Sequence, residues 1–319
     1  VFFSLNSQEL PEVFEDAMAE WMGAFHKFLT YDAPAGLASS DDEKASEVDQ
    51  VKAAVCDNIN LYIEKNEEEF APYLQTFVQD VWTLLMATDL KANRDHLVTS
   101  GVKFLTTVAS SVHYKLFESS DTLRQVCENI IIPNLQFREE DEELFEDNHV
   151  EYIRRDLEGS DADTRRRGAC ELVKALTAKF PEQVTSAVTG YVSSLLAQYA
   201  SDPKKFWKAK DAAIYLVIAL TVRSKSLVKG ATETNNLVNI VDFFNQHIAP
   251  ELQAAKGGAH PVIRADALKF LTMFRQQIPK SIVASFLPAL VQLLSADENV
   301  ERIGQAMQAG ALGFLPKSS

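Results

Sequence analysis

An apolar stripe at i, i+3, i+4, i+7 and i+11 recurs six times along this 319-residue chain. A chain written in that period folds as amphipathic helices that must cover one another's apolar faces. The stripes are Leu74-Phe77-Val78-Val81-Leu85, Ala169-Leu172-Val173-Leu176-Phe180, Val184-Ala187-Val188-Tyr191-Leu195, Leu237-Ile240-Val241-Phe244-Ile248, Ala267-Phe270-Leu271-Phe274-Ile278 and Val283-Phe286-Leu287-Leu290-Leu294. Two neighbouring pairs share their punctuation. Pro181 separates the second stripe from the third, and Pro279 separates the fifth from the sixth. Helix, proline-opened turn, helix is therefore a repeated unit. One such hairpin cannot bury its stripe alone, so units of this kind stack into a solenoid that presents a surface.

A second repeat agrees with the first. Pro-x-Leu after an apolar residue occurs at Pro72, Pro133, Pro250 and Pro288. The last two prolines stand 38 residues apart, and Pro133 to Pro250 spans 117, three times 39. HEAT repeats have a period of about 40. The predicted fold is all-α, a HEAT-repeat alpha-alpha superhelix over residues 1–296, of about seven helix pairs at that period. Helices are expected near 11–29, 43–66, 67–88, 97–108, 122–136, 162–180, 182–200, 207–223, 235–254, 261–278 and 280–295, with Pro133 bending or restarting one of them. No alternating run with hairpin turn signals is evident, so no sheet is expected. The chain opens at Val1-Phe2-Phe3 without Met, and neither end resembles a polar capping repeat. A piece of a longer array is expected.

Charge narrows the partners. Lys and Arg number 31 against 45 acids, a net charge of −14. Phosphate backbones are bound by clustered cations, so nucleic acid is excluded and basic proteins are the expected partners. Cys56, Cys127 and Cys170 lie far apart in helical patterns and suggest neither disulfides nor a metal site, which points to a reducing compartment. The longest apolar run, Ala212–Val222, is about half of what spans a bilayer, so no membrane is expected. The six histidines show no ligand spacing, and no nucleophile-base motif, phosphate loop or metal cluster occurs. Neither an enzyme, a cofactor nor a metal is expected. Trp21, Trp82 and Trp207 lie in helical segments and read as core; Trp207, among Lys204, Lys205, Lys208 and Lys210, is the one that offers an exposed anchor as the alternative, and the lysines read as a solvated helix face.

One stretch departs from the helical pattern. Residues 139–167 hold twelve acids and five arginines, net −7, half the charge of the chain. Glu142, Glu143, Glu146, Asp147 and Glu151 belong to a run without Lys or Arg, and Arg154, Arg155, Asp156, Glu158, Asp161, Arg165 and Arg166 follow it. Two readings stand: a solvated loop with internal salt bridges, or a docking insert at about 139–161. Ser160 to Asp163 has the spacing of a capping box, which sets Arg165, Arg166 and Arg167 in a first helical turn, where the dipole disfavours cations. An acidic group is expected opposite them, from the neighbouring run or from a partner.

Glu151-Tyr152-Ile153-Arg154-Arg155-Asp156-Leu157-Glu158-Gly159-Ser160-Asp161, preceded by Phe145-Glu146-Asp147-Asn148 and followed by Asp163-Thr164-Arg165-Arg166-Arg167, resembles the cellular apoptosis susceptibility family, the importin-alpha re-exporters of the importin-beta (karyopherin) superfamily. Trp207-Lys208, Lys210 through Val217, Ser4-Leu5-Asn6, Leu10-Pro11-Glu12 and Phe14-Glu15-Asp16 extend the resemblance to roughly residues 3–295. It implies a central segment of a HEAT-repeat receptor about three times longer. That receptor binds importin-alpha together with the small GTPase Ran in its GTP form, and shuttles between nucleus and cytoplasm. It also implies that Glu146 to Asp161 belongs to an insertion in one HEAT repeat that contacts Ran and holds the cargo-free form closed. Residues 297–319 do not resemble the family's continuation and are set apart as a divergent tail. A generic HEAT scaffold or regulatory subunit for a basic protein is the alternative reading.

Overall fold

The computed structural model describes residues 12–32, 34, 44–156, 164–226, 229–254 and 260–296. The elements are α1 (Glu12–Asp16), α2 (Met18–Leu29), α3 (Glu47–Lys65), α4 (Glu67–Ala87), α5 (Asp95–Ser110), α6 (Ser120–Val126), α7 (Ile132–Leu135), α8 (Glu139–Asp156), α9 (Arg165–Lys179), α10 (Pro181–Ser201), α11 (Trp207–Thr221), β1 (Val222–Ser226), β2 (Gly230–Thr234), α12 (Ile240–Phe243), α13 (Ala249–Gln253), α14 (Pro261–Met273) and α15 (Lys280–Ala296). Two compact units divide the chain: residues 1–135 with 163–184, and residues 136–162 with 185–319.

The first unit is layered. Helix α3 packs on α5 and α5 on α9, while α2 packs on α4. The stripes supply the contacts. Leu74, Phe77, Val81 and Leu85 of α4 are buried, as are Leu97, Phe104 and Val108 of α5, and Ala169, Leu172, Val173 and Leu176 of α9. Rings continue the core in sequence, with Phe25, Tyr62, Phe70 and Phe77 in successive contact at centroid separations of 5.7 to 6.5 Å. The corners are short. Asn66 alone links α3 to α4 (φ −132°, ψ 54°), and Phe180 alone links α9 to α10 (φ −129°, ψ 59°). In both, the corner N–H still donates to the carbonyl four residues earlier, so the reversal leaves that donor satisfied.

The second unit packs α11 on α14, and α13 on α14 and α15. Helix α11 is buried nearly all round, including Ile214, Leu216 and Val217, which accounts for its apolar run from Ala212 to Leu220. No described helix is long and apolar enough to cross a membrane. The sixth stripe keeps only part of its promise: Val283 and Phe286 are buried, whereas Leu287 is exposed.

Two features differ from expectation. Strands β1 and β2 pair as an antiparallel hairpin where no sheet was predicted. Its return strand starts at Gly230 (φ 74°), where a Cβ would lie 2.4 Å from the Met273 carbonyl oxygen, so only glycine is accommodated. In addition, Cys127–Ile131 and Phe244–Ile248 are π turns rather than continuous α-helix. Each places a proline, Pro133 or Pro250, six residues after its start. Proline lacks the N–H and clashes with the carbonyl four residues back, and the extra residue of a π turn widens the helix there.

Candidate functional site

The acidic run folds as two helical arms. Within α8, Asn148 (φ −145°, ψ 69°) breaks the helix with nearly the dihedrals of the Asn66 and Phe180 corners. Its side-chain oxygen accepts from the Glu151 N–H at 3.2 Å and so starts the second arm. The first arm begins with half of a capping box, as Asp141 reaches back to accept the Arg138 N–H at 3.1 Å. Tyr152 folds back and is buried between Phe137 (5.5 Å) and Phe145 (5.3 Å). The stretch read as an irregular charged segment is thus a closed helix-corner-helix.

Helical geometry then sorts the charge. Glu139, Glu140, Glu143, Glu146 and Asp147 fall on one face of the first arm, roughly 120° wide at 3.6 residues per turn. All five are exposed, as is Glu151. Glu142 lies off that face and is paired with Lys208 at 2.7 Å. Phe137 also meets Trp207 edge-on at 4.9 Å, and Trp207 stacks flat on His260 at 3.8 Å. Trp207 is buried and is not an exposed anchor; its ring helps to fix the acidic arms to the start of α11. The lysines around it divide. Lys204 and Lys205 are exposed, whereas Lys210 is buried and paired with Glu251 of α13.

His260 Nδ1 accepts the Val262 N–H and caps α14. Burial pushes its pKa below the ordinary histidine value, Glu142 opposes that shift, and Lys208 adds to it. Phe137, Tyr152, Lys208 and His260 were not singled out as site residues. The spacing of Phe137, Phe145 and Tyr152, eight and seven residues, is a signal for the two aromatic residues, whereas Lys208 and His260 join through tertiary contacts that no local spacing announces.

The arginines after the run belong to the first unit. Helix α9 starts at Arg165 with Thr164 as its cap, accepting the Arg167 N–H at 3.1 Å. Arg165 is 3 % exposed and directs its guanidinium to Asp95 (2.6 Å) and to the carbonyls of Asp89 (2.9 Å) and Lys91 (2.8 Å). The acid opposite Arg165 is Asp95 of α5, not a member of the acidic run. Arg166 is buried as well. The side chains of Arg154, Arg155 and Asp156 lie outside the described residues, as do Glu158, Asp161, the Ser160–Asp163 box and the stretch 297–319.

What the described residues of the first arm present is an exposed acidic helix face. Among the described residues no group of histidine, cysteine and carboxylate side chains is placed to hold a metal. Cys56 and Cys127 are buried, and burial raises the pKa of both, that of Cys127 to about 12, so neither is poised as a thiolate.

Comparison with known proteins places these features in a family. The Cse1 family model matches residues 1–304. Exportin-2 of Oreochromis niloticus is 47% identical over 302 residues, which are 94% of this chain and 31% of that protein. Exportin-2 of Homo sapiens is 46% identical over 301 residues, with the same coverage. A solved structure described as the exportin Cse1 in its cargo-free, cytoplasmic state superposes with a TM-score of 0.88 at 36% identity, covering 98% of this chain and 35% of that one. The chain therefore spans about a third of the length of these relatives. The helical HEAT fold agrees with the sequence reading, and the generic-scaffold alternative gives way. With a family match over nearly its whole length, this chain belongs to the Cse1 (exportin-2) family.

Proposed function

We propose that the chain is a segment of a nuclear export receptor that binds importin-alpha together with GTP-bound Ran and returns importin-alpha from nucleus to cytoplasm. Family membership over residues 1–304 carries this reading. The part assigned to this segment is a docking element without enzymatic activity. The exposed acids Glu143, Glu146, Asp147 and Glu151 face a basic surface of Ran or of another part of the receptor. Glu142 orients the arm through Lys208, and Arg154, Arg155, Asp156, Glu158 and Asp161 continue the element. Arg165 and Arg166 support it only through the stability of the first unit.

Exposed charge acts mainly on association rates and is screened over about 10 Å at 0.1 M salt. The test is the triple change Glu143→Lys, Glu146→Lys, Asp147→Lys in the full-length receptor, which leaves the Glu142–Lys208 pair intact. Association with Ran-GTP and importin-alpha is measured at low and moderate salt, with Ran-GDP as control. Slower association that converges with wild type as salt rises is expected. Equal rates at both salts would remove the acidic face from the docking surface.

A further inference from the structure

The β1–β2 hairpin is a cationic feature in a chain of net charge −14. Arg223, Lys225 and Lys229 stand against Glu233 alone across residues 222–234. Both ends are fixed to the second unit: at the base Asn235 donates to the Leu220 carbonyl at 2.6 Å, and at the tip Gln277 donates to the Ala231 carbonyl at 2.9 Å while Gly230 packs against the Met273 and Thr272 carbonyls. These contacts fall on β2, and β1 is held in extended form by pairing with it. Arg223, Ser224, Lys225 and Ser226 are all exposed.

An extended, accessible serine with an arginine three residues before it and a lysine immediately before it is the substrate that arginine-directed protein kinases bind, because their clefts hold the chain extended and set carboxylates against that arginine. The two serines of β1 are not equivalent. Ser224 accepts a hydrogen bond from the Thr232 hydroxyl at 3.0 Å and stands opposite Glu233, where a phosphate would face a like charge. Ser226 pairs with Gly230, and its hydroxyl oxygen accepts the Lys229 N–H at 3.1 Å, leaving its proton free to be transferred. Only Ser226 has arginine at the third position before it.

We propose that Ser226 is a phosphorylation site for an arginine-directed protein kinase. In the transfer, Ser226 Oγ forms a bond to the γ-phosphorus of ATP while the bond from that phosphorus to the β–γ bridging oxygen breaks. ADP leaves, and the hydroxyl proton passes to the kinase's carboxylate base. The product carries about −1.5 to −2 at neutral pH beside Lys225 and Lys229, which brings the hairpin from net +2 to near zero. The positive charge of the hairpin is thereby neutralised while its scaffold stays in place.

The test incubates the folded 319-residue chain with γ-labelled ATP and the catalytic subunit of cAMP-dependent protein kinase, and maps label by mass spectrometry. Circular dichroism verifies that each variant keeps the parent helix content. Label at Ser226, lost in Ser226→Ala and retained in Ser224→Ala, is expected. Arg223→Ala should slow the initial rate about tenfold or more, because a charge-assisted contact to the kinase is removed. Absence of label from the folded chain, label at another residue, or a rate indifferent to Arg223→Ala would each overturn the proposal.

Discussion

Arg165 sits in the first turn of α9, where the helix dipole disfavours a cation, yet it is nearly sealed from solvent. Asp95 and two carbonyls compensate it, so truncation removes these charge-assisted hydrogen bonds together with the packing of a nearly sealed side chain. Arg165→Ala should destabilise by about 3 kcal/mol in denaturant titration. By contrast, the exposed reversals at Glu143, Glu146 and Asp147 should stay within about 1 kcal/mol. This separates two kinds of charge that the sequence presented as one cluster. Position along a helix face told them apart, and only the folded chain shows that Arg165 finds an acid 70 residues away. His260 adds a pH dependence of known sign. The unfolded chain takes up its proton near pH 6.5, whereas the folded chain does so only at lower pH, because burial and Lys208 oppose the charge. The stability it contributes is whole above about pH 6.5 and is lost as the pH falls through the folded value. His260→Asn keeps a capping oxygen but does not titrate. It should flatten the fall in unfolding midpoint between about pH 7 and pH 5 expected of the parent.

Helices were legible because burial repeats with their period, and the stripes of α4, α9 and α14 read directly as core. The hairpin was not legible. Its strands, Val222–Ser226 and Gly230–Thr234, are mostly exposed, so they carry no apolar alternation, and tertiary contacts from Gly230 and Asn235 hold them instead. The π turns escaped for a related reason. The prolines announced an irregularity, but a helix carrying one extra residue keeps its apolar character on both sides of the break. The physical account gives a compensating pair. Deleting Asn129 restores α-helical spacing before Pro133 and recreates the clash with the preceding carbonyl, which costs about 3 kcal/mol. The same deletion combined with Pro133→Ala should cost much less, and a double-mutant cycle in thermal unfolding measures the difference. Equal costs in both backgrounds would show that the widened turn serves something other than the proline.

Residues 136–162 are part of the second unit, and the chain then returns to the first at residue 163. The first unit is therefore discontinuous in sequence, a property that no local pattern in the chain announces. A protein truncated after Asp156 should retain α3, α4 and α5 but show faster amide exchange at the start of α5, because α9 would be missing. Hydrogen exchange of the truncated chain against the parent measures this. The Arg165 contacts turn this wiring into a matter of timing. The segment from Asp89 to Asp95 leaves the ribosome about 70 residues before the arginine that seals it. At about 5 to 20 residues per second that is a wait of roughly 4 to 14 seconds. Through that interval the apolar face of α5 that α9 will cover is exposed in the nascent chain, and it is the natural stretch for a chaperone to hold.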